Sequence, residues 1–188
     1  MKNSTNRVLF AAQGPRSWGS SRMRAWWTAD AVDWADCKLA HDITLNDISD
    51  CDVFVWPKPC SETAIETVRT AKAAGKRIVW DLCDPIHWLN PDGAAAMLPH
   101  IDDIVVSNEG LKRAIEVDMQ RHATVIVDRM APAFHPTTRE HRPLEVPTLV
   151  WFGSGANRVP SLSSAMLGLH SLAVNGTRFK LRIIDNGH

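Results

Sequence analysis

Asp81, Asp84 and His87 stand three residues apart in the stretch RIVWDLCDPIHW, residues 77–88. Carboxylates beside an imidazole are the side chains that orient a substrate hydroxyl or take its proton. On a helical turn their spacing would put them on one face. Ile78, Val79 and Trp80, just before them, form an unbroken apolar run that suits an interior strand of a parallel sheet. The pattern predicts a buried strand whose end presents Asp81 and His87 as candidate catalytic residues. Asp84 has another reading, as the cap of a short helix with Pro85 at its first position. No metal site is expected, because the three ligands would come from one short segment, and no cofactor is expected either.

Ligands of open α/β sheets bind beyond the carboxyl ends of the strands, so the other loops of that kind carry the remaining candidates. QGPRSWGSSR (13–22) has Gly14 and Gly19 to let backbone approach a ligand, and a predicted helix start at Ser20 with free N–H groups. It lacks the G-x-G-x-x-G spacing of a dinucleotide site. FGSGANRVPS (152–161) frees its backbone at Gly153 and Gly155 and adds the donors Asn157 and Arg158 ahead of a helix, a cradle suited to a diphosphate. SNEG (107–110) is explained by helix capping alone.

The elements that must hold these loops alternate as β-α-β units. Strands are predicted at 7–12, 51–57, 102–108 and 124–128, with one more inside the stretch 77–88. A helix from about Ser20 places Met23, Trp26, Trp27, Ala31 and Trp34 on one stripe, expected to face the core. Ser61 caps the next helix and Gly75 ends it. The segment 131–148 holds four prolines and no period, and reads as a linker. Beyond it a strand at 149–153, a helix from Ser161 and a strand at 179–185 restart the pattern. The expected domains are therefore 1–130 and a partial second unit, 149–188.

Composition narrows the function classes. With 188 residues, 45% of them hydrophobic, the chain can build one substantial core. Twenty-one basic residues balance twenty-one acidic ones, which removes the charge signature of a nucleic-acid binder. The apolar run near the N-terminus is too short for a signal or a membrane span. The four cysteines lack metal or disulfide spacing, and a cytoplasmic location is expected.

Taken in order, GSSRMR, CDVFVWPKP, AKAAGKRIVWDLCDP, DDIVVSNEGLKRAI, VIVDRMAP and LVWFGSGANRVPSLSSAMLGLHSLA resemble the GT-B glycosyltransferases, in particular the glycogen-synthase-like group 1 enzymes. The resemblance implies two Rossmann-like domains, an acceptor side followed by the start of a donor side, and transfer from a nucleotide sugar to an acceptor. It implies that Gly14, Ser20 and Arg22 line the cleft from the first domain and that Asp81 holds a catalytic or sugar-contacting position. Gly153, Ser154 and Arg158 would meet the donor diphosphate. The family's acidic donor-gripping segment has no counterpart here, so the rest of a donor domain is expected in cis and turnover by these residues alone is not. A non-catalytic sugar- or nucleotide-binding module and a related sugar epimerase are the alternatives. If the donor reading holds, Arg158→Ala loses a charge-assisted contact of roughly 1.5–3 kcal/mol. Calorimetry with UDP, GDP and ADP should then show about ten- to more than a hundredfold weaker binding, with the melting temperature unchanged.

Overall fold

The computed structural model describes residues 6–128, 145–153 and 155–185, with backbone alone at 155–160 and 185. Ser154 and the greater part of the Pro-rich stretch lie outside the described residues. The chain divides into two units, Met1–His135 and Pro136–His188.

The first unit is a Rossmann-like α/β fold. Six parallel strands, β1 (Val8–Ala12), β2 (Ala35–Leu39), β3 (Val53–Pro57), β4 (Arg77–Leu82), β5 (Asp103–Val106) and β6 (Ala123–Val125), lie in the order β2-β1-β3-β4-β5-β6. Successive strand side chains point to opposite faces, and the register aligns Leu9 with Phe54 and Ile78, then Trp56 with Trp80 and Ile104. These residues form one buried cluster with Val68 of α4 (Glu62–Ala73), Met97 of α6 (Pro91–Met97) and Ile115 of α7 (Glu109–Asp118). The helix ends are tied as their residue types dictate. Ser61 accepts a hydrogen bond from the Ala64 N–H, Asn108 from Leu111 and Asn90 from Gly93. Gly75 leaves α4 at φ 76°, a conformation that glycine adopts without cost.

Between β1 and β2 the chain makes one continuous helical stretch of three parts. These are α1 (Gly19–Ser21), a π-helical turn (Arg22–Trp26) and α2 (Trp27–Asp30). The Trp27 N–H reaches five residues back to the Arg22 carbonyl. This corrects the tryptophan stripe expected to face the core. The residues buried along the stretch are Ser21, Ala25 and Ala29, while Trp34 is exposed. Small side chains let the helix lie close on β1 and β2, and the indoles are left at its margins.

Two expectations near the carboxyl edge also change. The short α5 (Ile86–Leu89) has Pro85 at its N-cap and no side-chain cap, so Asp84 is not the cap. The polar strand β2 and α3 (Leu45–Asp50), with its reciprocal Thr44–Asp47 capping box, were not expected.

In the second unit β7 (Thr148–Gly153) and β8 (Lys180–Asp185) pair in parallel, joined by α8 (Gly155–Val174). α8 begins six residues before the predicted Ser161, so Asn157 and Arg158 lie in its first turns and not in a loop. Val150, Phe152, Leu167 and Ile183 are exposed, as two strands and one helix must leave them.

Phe54 is fully buried at the centre of the first sheet. Phe54→Ala should cost about 3–5 kcal/mol in urea denaturation, whereas Val117→Ala, on an exposed helix position, should stay within about 0.5 kcal/mol.

Candidate functional site

Strand order reverses between β1 and β3, since β2 lies on one side of β1 and β3 on the other. The connections leaving their carboxyl ends diverge there, and a crevice opens between them. Phe10, Gln13, Ser20, Arg24, Lys58 and Asp81 are among the residues that line it. Its narrow centre has a volume of about 20 Å³, the size of a single water. The bulk of any ligand must therefore sit at the mouth, over the loops.

The floor is a buried charge cluster. Asp81, on the last turn of the pleat in β4, is 7% exposed. Arg24 Nε donates to both carboxylate oxygens, at 3.0 and 2.8 Å, and a second guanidinium nitrogen also donates to Oδ1. The remaining nitrogen of Arg24 donates to Asp128 Oδ1 at 2.5 Å. Burial works against the charge on Arg24, but the hydrogen bonds and charges of Asp81 and Asp128 outweigh it and raise the guanidinium above its ordinary value. Burial pushes the Asp81 carboxyl up, more than Arg24 pulls it down. Asp81 is the more deeply buried of the two, and Asp128 repels its charge while it supports that of Arg24.

Lys58 follows β3 and closes the other wall. Its backbone N–H donates to the Asp81 carbonyl at 3.1 Å, and its ammonium pairs with Asp84. Two indoles pin this loop from below: Trp56 Nε1 donates to the Pro59 carbonyl at 2.8 Å and Trp80 Nε1 to that of Lys58 at 3.4 Å. Burial pushes the Cys83 thiol up, against its thiolate form. Among the described residues no three His, Cys, Asp or Glu side chains gather as a metal-ligand set.

The loop from Gln13 to Trp18 is pinned as firmly. Gly14 donates its N–H to Ser21 Oγ at 3.0 Å and accepts from Trp26 Nε1 at 3.1 Å. Arg16 stacks on Trp26, 4.7 Å from the ring centre, and makes a two-nitrogen pair with Asp30.

The predicted residues thus separate. Ser20 and Asp81 line the crevice. Gly14 is not in the lining and follows Gln13, which is. Arg22 is not in its lining; its guanidinium stacks over Trp27 at 5.2 Å, and its Nε is buried without a hydrogen-bond partner among the described residues. His87 is also outside the lining. Its buried ring contacts Asp118 through Nε2 at 3.2 Å, and Trp88 Nε1 donates to the same oxygen at 2.6 Å. His87 Nδ1 is buried with no partner among the described residues. Gly153 ends β7 in the second unit, beside Trp151.

Arg24 and Lys58 escaped the sequence reading. The available signal was Asp81 itself, because a carboxylate at the end of a buried strand requires a cation. Arg22, Arg24 and Lys58 all offered one, and Arg24 is the residue that pairs with it.

Comparison with known proteins finds no matching family model, no matching curated protein and no matching solved structure.

Asp81→Asn removes the carboxylate that two nitrogens of the buried guanidinium address and leaves Asp128 as its remaining acid, so it should destabilise the first unit by about 1.5–3 kcal/mol. Asp84→Ala breaks only a half-exposed pair with Lys58 and should cost about 1 kcal/mol or less. Urea denaturation of the two variants should give that order. The reverse order would mean that the Arg24 pair does not support the fold.

Proposed function

We propose that the chain is the acceptor-side unit of a GT-B-type glycosyltransferase followed by the first β-α-β of the donor side. One observation carries the reading: the polar residues of the first unit converge on the switch-point crevice of a doubly wound sheet, where this architecture binds its substrates. The β-α-β unit that follows, and the ordered segments resembling the family, support it.

In this reading the acceptor lies at the crevice mouth, beside Ser20 and Gln13. Asp81 acts as a positioning residue, because both its oxygens are already held by Arg24. The reaction breaks the bond from the sugar to the leaving diphosphate and forms one to the acceptor oxygen. Charge gathers on the diphosphate, and Arg158 with the backbone N–H groups beyond Gly153 is the donor-side set that would meet it.

The engagement of Asp81 by Arg24 also favours a second reading, a sugar-binding module without turnover, since it leaves the crevice no free carboxylate base on β4. Thermal-shift measurements with UDP-, GDP- and ADP-glucose separate the two. The transferase reading expects one nucleotide sugar to raise the melting temperature, with about 2.7 kcal/mol of added stability at a hundred times its Kd. Stabilisation by simple glycosides but by none of the three nucleotide sugars would leave the binding module. No response to either class would reject both.

A further inference from the structure

Trp18 is 58% exposed, although it stands in a loop that is tied down at Gly14 and Arg16. It occupies the N-cap of α1, where Ser, Thr, Asp or Asn would satisfy the helix and an indole contributes no cap hydrogen bond. Its ring packs against Gly14: a Cβ at that position would come within 2.3 Å of the indole. The backbone holds it too, with the Trp18 N–H donating to the Pro15 carbonyl at 2.9 Å and its own carbonyl accepting from Arg22 at 2.8 Å. Neither propensity nor core packing accounts for a large apolar ring fixed in this way at the surface.

Its neighbours show what it suits. Gln13 and Ser20, on either side of the Gly14–Trp18 contact in sequence, line the crevice. The cations there are spent: Arg24 and Lys58 face three carboxylates, Asp81, Asp84 and Asp128. Even with Asp81 neutral, that cluster offers no spare positive charge to a phosphate. An exposed indole in the same loop as a crevice-lining amide, Gln13, and two residues before a crevice-lining hydroxyl, Ser20, matches a neutral polyol, whose ring presents C–H groups on one face and hydroxyls around its edge.

We propose that Trp18 is the stacking platform of a saccharide subsite at the crevice mouth, so that the acceptor is a sugar and not a lipid or a protein side chain. The assignment of this sugar as an acceptor rests on the transferase reading; the subsite itself does not. The indole covers one face of a pyranose, and Gln13 and Ser20 reach its hydroxyls.

The test titrates the 188-residue chain with the methyl glycosides of glucose, galactose, mannose and N-acetylglucosamine, followed by saturation-transfer NMR and calorimetry, with UDP, GDP and ADP titrated in parallel. At least one glycoside should bind. Trp18→Ala should weaken it tenfold or more, Trp18→Phe by no more than about threefold, and Gly14→Ala, which pushes the indole off its seat, by an intermediate factor. Trp34→Ala, an exposed indole at the amino end of β2, should change nothing. Nucleotide affinity should be the same in all variants. If none of the glycosides binds, or if Trp18→Ala binds them as the unmodified chain does, the subsite is wrong. A loss of nucleotide binding in Trp18→Ala would make the indole a base platform and also overturn it. Glycoside binding that depends on Trp18, with no nucleotide bound at all, would uphold the subsite and remove the transferase reading.

Discussion

A carboxylate buried at the end of a parallel strand cannot stay ionised without a partner, and Asp81 has one chief partner, Arg24. The pair governs how the first helical stretch lies on the sheet. Ser21, Arg24, Ala25 and Ala29 are spaced as i, i+3, i+4 and i+8, so the small face that lies on the sheet carries Arg24 at its margin toward β4. The π turn at 22–26 spreads one turn over an extra residue beside this pair. The same arginine also holds Asp128 beyond β6, so a single side chain links β4, the first helix and the end of the sheet.

Indole N–H groups repeat this economy at a smaller scale. Trp26 fixes Gly14, Trp56 and Trp80 fix the loop after β3, and Trp88 shares Asp118 with His87. Trp26, Trp56 and Trp80 pack with their apolar bodies and spend their one donor on a loop, while the exposed Trp88 donates to the last residue of α7. The chain has eight tryptophans and no tyrosine. A donor that cannot accept suits loops rich in exposed carbonyls, and the result is a set of crevice walls held before any ligand arrives. Preorganised walls lower the ordering cost of binding.

The elements that were legible in the sequence are those whose signal is local. β1, β3, β4 and β5 are apolar runs bounded by turns, Ser61 and Asn108 announce helix starts, and Gly75 announces an end. β2 was hidden because an edge strand reading ADCKL carries only alternate half-buried positions. The first helix was visible but its face was not: tryptophan dominates any hydrophobic stripe, whereas close helix-to-sheet packing selects Ala25 and Ala29. Asp81 was legible as important from its place at a buried strand end. Its partner was not, since Arg22 and Arg24 are the same residue type two positions apart and only the packed helix shows which one meets Asp81. Asp84 misled for a related reason: Asp-Pro reads as a cap locally, while Lys58, twenty-six residues away, takes its carboxylate.

The central claim is that the switch-point crevice of the first unit, and not another part of its surface, receives the ligand. Two-dimensional amide NMR of the chain during addition of a binding glycoside tests it residue by residue. The account predicts that the largest shift changes fall on Gln13, Gly14, Trp18, Ser20 and Lys58, with Asp81 following. Changes centred instead on Arg7, Asp36 and Asp50, which line a separate cleft beside the edge strand β2, would contradict it.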